Sequence, residues 1–171
     1  MVLGKLPNVG PAELTWNSVI LGETFGGVNF RHTQETVEVF YDKYGRTVVD
    51  AITVGSVVTI EAKLTDTTVA QLNAVLYGSS VEVTPDHLLV SNSVGESLFD
   101  DAQELIIKPM DGIIPTTDTT KHIHVFKCTP VANLDVVFDN ENQKIYLVEF
   151  KVFPDDTTGN VGALWSLGAT S

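Results

Sequence analysis

The sequence predicts a mainly β fold, a β-sandwich or barrel with one flanking α-helix and a long extended hairpin. Three observations predict it. Val28–Tyr41 and Ile52–Leu64 are two long runs that carry β-branched and aromatic residues at strand density and contain no Pro. Between them lies a polar segment, Asp42–Asp50, in which Gly45 suits a turn. Only after these runs does the chain change to a helical period, with Val69, Leu72, Val75 and Leu76 on one face behind the N-cap candidates Thr65-Asp-Thr-Thr68 and ahead of Gly78.

Taken in order, residues 1 to 11 are rich in Gly and Pro and form an irregular arm that needs a neighbour to pin it. Ala12–Trp16 alternates and Val19–Leu21 answers it across Asn17-Ser18, the pattern of a small hairpin. Gly22 and Gly26-Gly27 are expected to break the chain before the long hairpin. In its second strand Ser56, Val58, Ile60, Ala62 and Leu64 share a core face, and Val57, Thr59, Glu61 and Lys63 share a wet one. The first strand carries polar groups on both faces, so its parity stays open. Ser79–Val90 is a strand broken by Pro85, and Ser91–Gly95 is a loop. Ser97–Glu104 is expected to make one helical turn capped by Ser97, Leu105–Lys108 a short strand stopped by Pro109, and Met110–Thr120 a loop. Lys121–Val131 alternates, and Leu134–Asp139 is expected to pair with Lys144–Phe153 across Asn140–Gln143. The tail, 154–171, lacks periodicity, but Leu164, Trp165 and Leu167 point to docking. No internal repeat divides the chain, and 171 residues are read as one domain.

Charge and composition narrow the function. The chain carries 22 acidic and 10 basic residues, a net charge of −12, with no cluster of Lys and Arg. Such a surface repels phosphates and argues against a nucleic-acid grip. Solubility is the plain consequence; a conduit through which a polyanion slides without sticking is the sharper one. No apolar stretch approaches the roughly 18 residues of a membrane span. The N-terminus is read as lacking a secretion signal, and Cys128 stands alone, which fits synthesis in a cytoplasm.

The groups that carry chemistry elsewhere are not assembled in sequence. His122, His124 and Cys128 fall on one face of a predicted strand, but Cys128 lies about 13 Å beyond His124 at about 3.3 Å per residue, too far for one ion. His32 and His87 each stand apart in sequence from any other His or Cys. Gly95-Glu-Ser97 lacks the second glycine of a nucleophile elbow. Asp100-Asp101 and Asp155-Asp156 are adjacent on loops and are better read as solvated surface than as an acid/base pair. No phosphate loop, dinucleotide fingerprint or calcium loop is present. The expectation is therefore a protein that is not an enzyme and takes no cofactor or metal.

One set of segments carries a resemblance. Leu3-Gly-Lys-Leu-Pro-Asn-Val-Gly-Pro-Ala-Glu-Leu-Thr-Trp-Asn17, Leu21-Gly, Phe25-Gly-Gly-Val28, Thr33-Gln-Glu-Thr36, Asp42-Lys-Tyr-Gly45 and Val49-Asp50 resemble the tail tube (major tail) proteins of long-tailed bacteriophages. The similarity runs through Leu76 and, more loosely, from Leu105–Pro109 to the final hairpin. It implies a β-sandwich with a flanking helix, hexameric rings stacked into a hollow tube, and sheets of neighbouring copies joined into one barrel around the lumen. It also implies kinship with the tube proteins of contractile tails and of type VI secretion.

Under that resemblance the proposed lumen-facing residues are Arg31, Thr33 and Glu35 with Thr59, Glu61 and Lys63. The hairpin tip, Asp42, Lys43, Tyr44, Gly45, Arg46 and Asp50, would reach across a ring interface, with Tyr44 and Arg46 as anchors. The arm (1–11) and tail (154–171) would make further inter-subunit contacts. The implied partners are other copies of the chain, tail terminator and baseplate or tail-tip proteins, and DNA in transit without specific binding; no membrane binding is implied. The implied location is the virion, after synthesis in the host cytoplasm. The alternative is a β-sandwich receptor- or carbohydrate-binding module of a phage fibre, with Trp16, Tyr41, Tyr44 and Trp165 as a platform. A small β-rich hydrolase would need a deep polar pocket that nothing in the sequence asks for.

Overall fold

A computed structural model describes residues 11–65, 67–83, 86–91, 94–134, 145–157 and 159–168. The polypeptide runs through β1 (Ala12–Trp16), β2 (Val19–Ile20), β3 (Glu23–Phe40) and β4 (Val48–Thr65) to its helix, α1 (Val69–Val75). It continues through β5 (Ser79–Val83), β6 (Asp86–Val90), β7 (Gln103–Asp111), β8 (Ile114–Pro115), β9 (Ile123–Asn133), β10 (Tyr146–Val152) and β11 (Trp165–Leu167). The fold is mainly β. One antiparallel sheet dominates, in the order β2-β1-β7-β9-β10-β4-β3, with β11 beside β9 and β8 beside β7, while β5 and β6 pair separately. The sheet curls enough for the Thr24 hydroxyl of β3 to donate to Ala12 O of β1.

The core follows from the period-2 pattern. Val58, Ile60, Ala62 and Leu64 of β4 are buried together with Val148 and Phe150 of β10, Leu105 and Ile107 of β7, Leu14 of β1, and Val125 and Cys128 of β9. Val75 closes this face from α1. The helix starts on a capping box: Thr68 accepts from Gln71 N, and the Gln71 side chain accepts from Thr68 N. Gln71 Nε2 also donates to Ile20 O at 3.0 Å, which ties the helix to the small hairpin. Leu76 is the C-cap rather than a helical residue, and Gly78, at φ +73°, lies one residue beyond the expected C′ position.

Several expected boundaries move. β3 begins at Glu23 and passes through Gly26-Gly27; these glycines, at φ +79° and +85°, form an irregularity in the ladder instead of ending it. Ser97 caps no helix: residues 98–101 are turns, and Gln103 and Glu104 already belong to β7. Pro109 does not stop β7, because pairing with β9 ends at Ile107 and the missing N–H breaks no ladder there. The expected Met110–Thr120 loop holds β8 and a short 3-10 turn at Thr119–Lys121. Ser79–Val90 is two paired strands, with Pro85 outside the described residues. β10 pairs with β9 through Leu147↔Asn133, and the expected strand Leu134–Asp139 lies, beyond Leu134, outside the described residues.

Candidate assembly surface

Two regions of the long β3–β4 hairpin hold the residues singled out by the sequence. Near its root, where β10 also pairs with β4, the ladder sets Arg31 opposite Thr59, Thr33 opposite Val57, Glu35 opposite Gly55 and Asn29 opposite Glu61. Directly opposed residues share a face, so Arg31, Thr33 and Glu35 lie with Thr59, Glu61 and Lys63 on the side away from the core. The parity that the sequence leaves open is thereby fixed: Phe30, His32 and Gln34 take the other side, opposite Ile60, Val58 and Ser56. β10 extends the polar face with Glu149 opposite Glu61 and Lys151 opposite Thr59. Lys151 pairs with Glu149, and Asn29 Nδ2 donates to Glu61 at 3.5 Å. The charges here balance, with Arg31, Lys63 and Lys151 against Glu35, Glu61 and Glu149, so the excess acidity of the chain is carried elsewhere.

Beyond the Lys151↔Thr59 rung β4 pairs with β3 alone, and the two strands leave the body as an arm. From Arg31 to Phe40 the arm reaches about 30 Å at roughly 3.3 Å per residue. Every residue from Arg31 to Gly55 except Val39 is exposed. Apolar side chains stand on both faces: Val37 opposite Ile52 on one, Phe40 opposite Val48 on the other. Val54, skipped where Glu35↔Gly55 is followed by Thr36↔Thr53, is 60% exposed. The tip is a 3-10 turn at Asp42–Tyr44 closed by Gly45 at φ +64°, with Lys43 Nζ 5.5 Å from the centre of the Tyr44 ring. Arg46 is at this tip, but Asp50 is not. It sits in β4 opposite Val39 and accepts from Ala51 N at 2.8 Å.

The remaining candidates divide between packed and exposed positions. Of Val69, Leu72, Val75 and Leu76, only Val75 is fully buried; Leu72 and Leu76 are half-buried and Val69 is exposed. Trp16 donates its indole N–H to Cys128 O at 3.0 Å, and Trp165 donates to His32 Nδ1 at 3.1 Å, so of the four platform aromatics Tyr41 and Tyr44 remain exposed at the arm tip. The tail docks on its own chain, with Trp165 opposite Val125 and Leu167 opposite Ile123. Residues 1–10 of the expected arm and 169–171 of the tail lie outside the described residues.

His122 Nε2 is bonded to Thr116 O at 2.9 Å and His124 Nδ1 to Glu104 at 3.0 Å. Cys128 does not share their face. The β7–β9 ladder shifts register between Gln103↔Cys128 and Leu105↔Val125, and this bulge returns Cys128 to the core side, where burial pushes its thiol pKa up. Among the described residues no group of His, Cys, Asp or Glu is arranged to hold a metal ion. A groove of about 390 Å³ between β1 and α1 brings Trp16, Asn73, Tyr77, Glu96 and Asp101 together. Its Tyr77 hydroxyl is spent on Asp101 at 2.6 Å, a bond that raises the phenol to about 12. No helix among the described residues is long and apolar enough to cross a membrane. Set against known proteins, the sequence matches no protein-family model and no curated protein.

Proposed function

We propose that this chain is a structural virion protein that self-assembles into hexameric rings stacked as the tube of a phage tail, the conduit for DNA from capsid to host. The observation that carries this reading is the arm. An isolated two-stranded hairpin is marginal in water, and exposed apolar strands with unpaired edges invite pairing with another chain. An arm with Val37, Phe40, Val48, Ile52 and Val54 in solvent is therefore understood as half of an interface whose other half is a second copy. A surface that docks on a different patch of its neighbour gives a ring if the rotation closes and a filament if it does not, and a stacked tube uses both.

In this reading the polar face of β3, β4 and β10 lines the channel. Its mechanism is geometric and electrostatic: a closed barrel supplies stiffness, and a surface of spaced, balanced charges offers a passing polyanion no cationic cluster on which to lodge. The acidity of the rest of the molecule adds repulsion at longer range. The partners are other copies and the proteins that cap the tube at the terminator and tail-tip ends; the reading assigns no catalysis. Negative-stain electron microscopy with light scattering on the purified protein tests it. Hollow six-fold rings or filaments are the expected result. A dispersed monomer or trimer across salt and concentration, even when seeded with tail-tip protein, would overturn it.

A further inference from the structure

Where the arm leaves the body, the C-terminal strand holds its root. Trp165 sits on β11 opposite Val125, with its ring edge-on to Phe30 at 5.1 Å between centroids and to His32 at 5.9 Å. Its indole N–H donates to His32 Nδ1 at 3.1 Å across 133 positions of sequence. Among the described residues of β3 beyond Thr24, His32 alone hydrogen-bonds an element other than β4. The arm root is held against the body by this contact, by the ladder, and by Val28 and Phe30 packed against the core, and the Trp165–His32 bond is its outermost polar tie.

The chemistry of the two rings gives the contact a condition. An indole nitrogen only donates, and an imidazole nitrogen accepts only while the ring is neutral with its proton on the other nitrogen. An imidazolium has two donors and no acceptor, so a proton on Nδ1 turns the bond into a donor aimed at a donor. Among the described residues, those opposite His32 and beside it on its face of the hairpin carry no charge. β4 presents Val58 directly opposite, with Ser56 and Ile60 beside it; β3 contributes Phe30 and Gln34 on the same face; β11 presents Trp165. The charged neighbours Arg31 and Glu35 point to the opposite face of the strand.

We infer that the Trp165–His32 pair is a proton-sensitive clasp, closed when His32 is neutral, whose opening on acidification releases the root of the long arm from the C-terminal strand. The inference does not depend on what the arm docks against.

The chain has two tryptophans, so Trp16→Phe leaves Trp165 as the one indole reporter. Its emission is followed from about pH 8 to about pH 5, the range in which imidazoles change charge, on dispersed and assembled fractions alike. The expected result is a single titration step in Trp16→Phe that vanishes in Trp16→Phe/His32→Gln, because a glutamine oxygen accepts at every pH. In Trp16→Phe/His32→Arg the acid-form emission is expected already at pH 8. Should Trp16→Phe fail to fold, the wild-type titration is compared with that of Trp165→Phe, which is expected to lose the step. A flat profile in the parent, or the same step surviving in His32→Gln and so belonging to another of the four histidines, would overturn the inference. So would a step in which acid protects the indole from a soluble quencher, which would mean that the imidazolium has moved over the indole face.

Discussion

Val37 and Ile52 face each other across the arm, and each leaves more than half of its surface in solvent, 54% and 55%. A cross-strand apolar pair normally stabilises a sheet by covering one face against a core. Among the described residues this pair packs against no core, and Val54 beside it is equally bare.

The first prediction follows from that exposure. Val37→Lys or Ile52→Lys is expected to leave the dispersed chain folded, with stability changed by no more than about 0.5 kcal/mol, as for other surface substitutions. Each is expected to abolish assembly, since a charge would be buried unpaired in the interface. Analytical ultracentrifugation with circular dichroism separates the two effects. Assembly that survives both substitutions would remove the arm from the interface.

A second prediction concerns the opposite kind of site. Phe150 is fully buried in β10, between Ile60 on β4 and Pro130 on β9. Phe150→Ala is expected to cost about 3–5 kcal/mol through lost burial and the cavity left behind. Urea unfolding of the dispersed chain measures it, and a loss below about 1 kcal/mol would mean that the site collapses freely or that the core is elsewhere.

Which parts of this structure were legible in the sequence depended on whether one face was buried. From Val57 to Leu64 the alternation is strict because only one side meets the core, and the expected faces are the observed ones. The arm was visible as two strand-like runs around Asp42–Gly45, although the ladder reaches back to Glu23 and out to Val48. Bulges defeated period counting. One carries β3 through Gly26-Gly27, and another, in β9, turns Cys128 away from the face of His124, a change of parity that no local residue announces. Pro109 misled because its meaning depends on where a neighbouring strand ends. The Trp165–His32 bond was out of reach, because nothing in either segment specifies a partner so distant in sequence.

The helix offers a third prediction. Thr68→Ala removes the acceptor for Gln71 N and is expected to cost about 1 kcal/mol. Gln71→Ala removes the reciprocal bond to Thr68 N and the link to Ile20 O as well, so it is expected to cost more. Because the two residues share one box, the double variant is expected to lose less than the sum. Strict additivity in a denaturation cycle would mean that the box does not form in solution.

The last prediction is a pH dependence. Asp155 is buried in the loop between β10 and β11; it accepts from Thr157 N at 3.0 Å and from the Thr157 hydroxyl at 2.8 Å. The bond from the Thr157 backbone is the largest of the influences holding its carboxyl below the usual Asp range. A carboxyl whose pKa is lower folded than unfolded binds fewer protons in the native state. Its contribution is therefore complete above the unfolded value of about 3.9 and is lost as pH falls toward the folded one. Asp155→Asn keeps the shape but cannot ionise, so it is expected to be less stable than the parent at pH 7 and to lose less on acidification, the two melting temperatures converging below about pH 4. The loop returns the chain to β11 through Asp155 N to Ala163 O and Gly162 N to Asp155 O. Loosening it is thus also expected to weaken the seat of Trp165, seen as a shift of the Trp165 emission at neutral pH. Melting curves that stay parallel from pH 7 to pH 3 would show that the ionised carboxylate does not hold this loop.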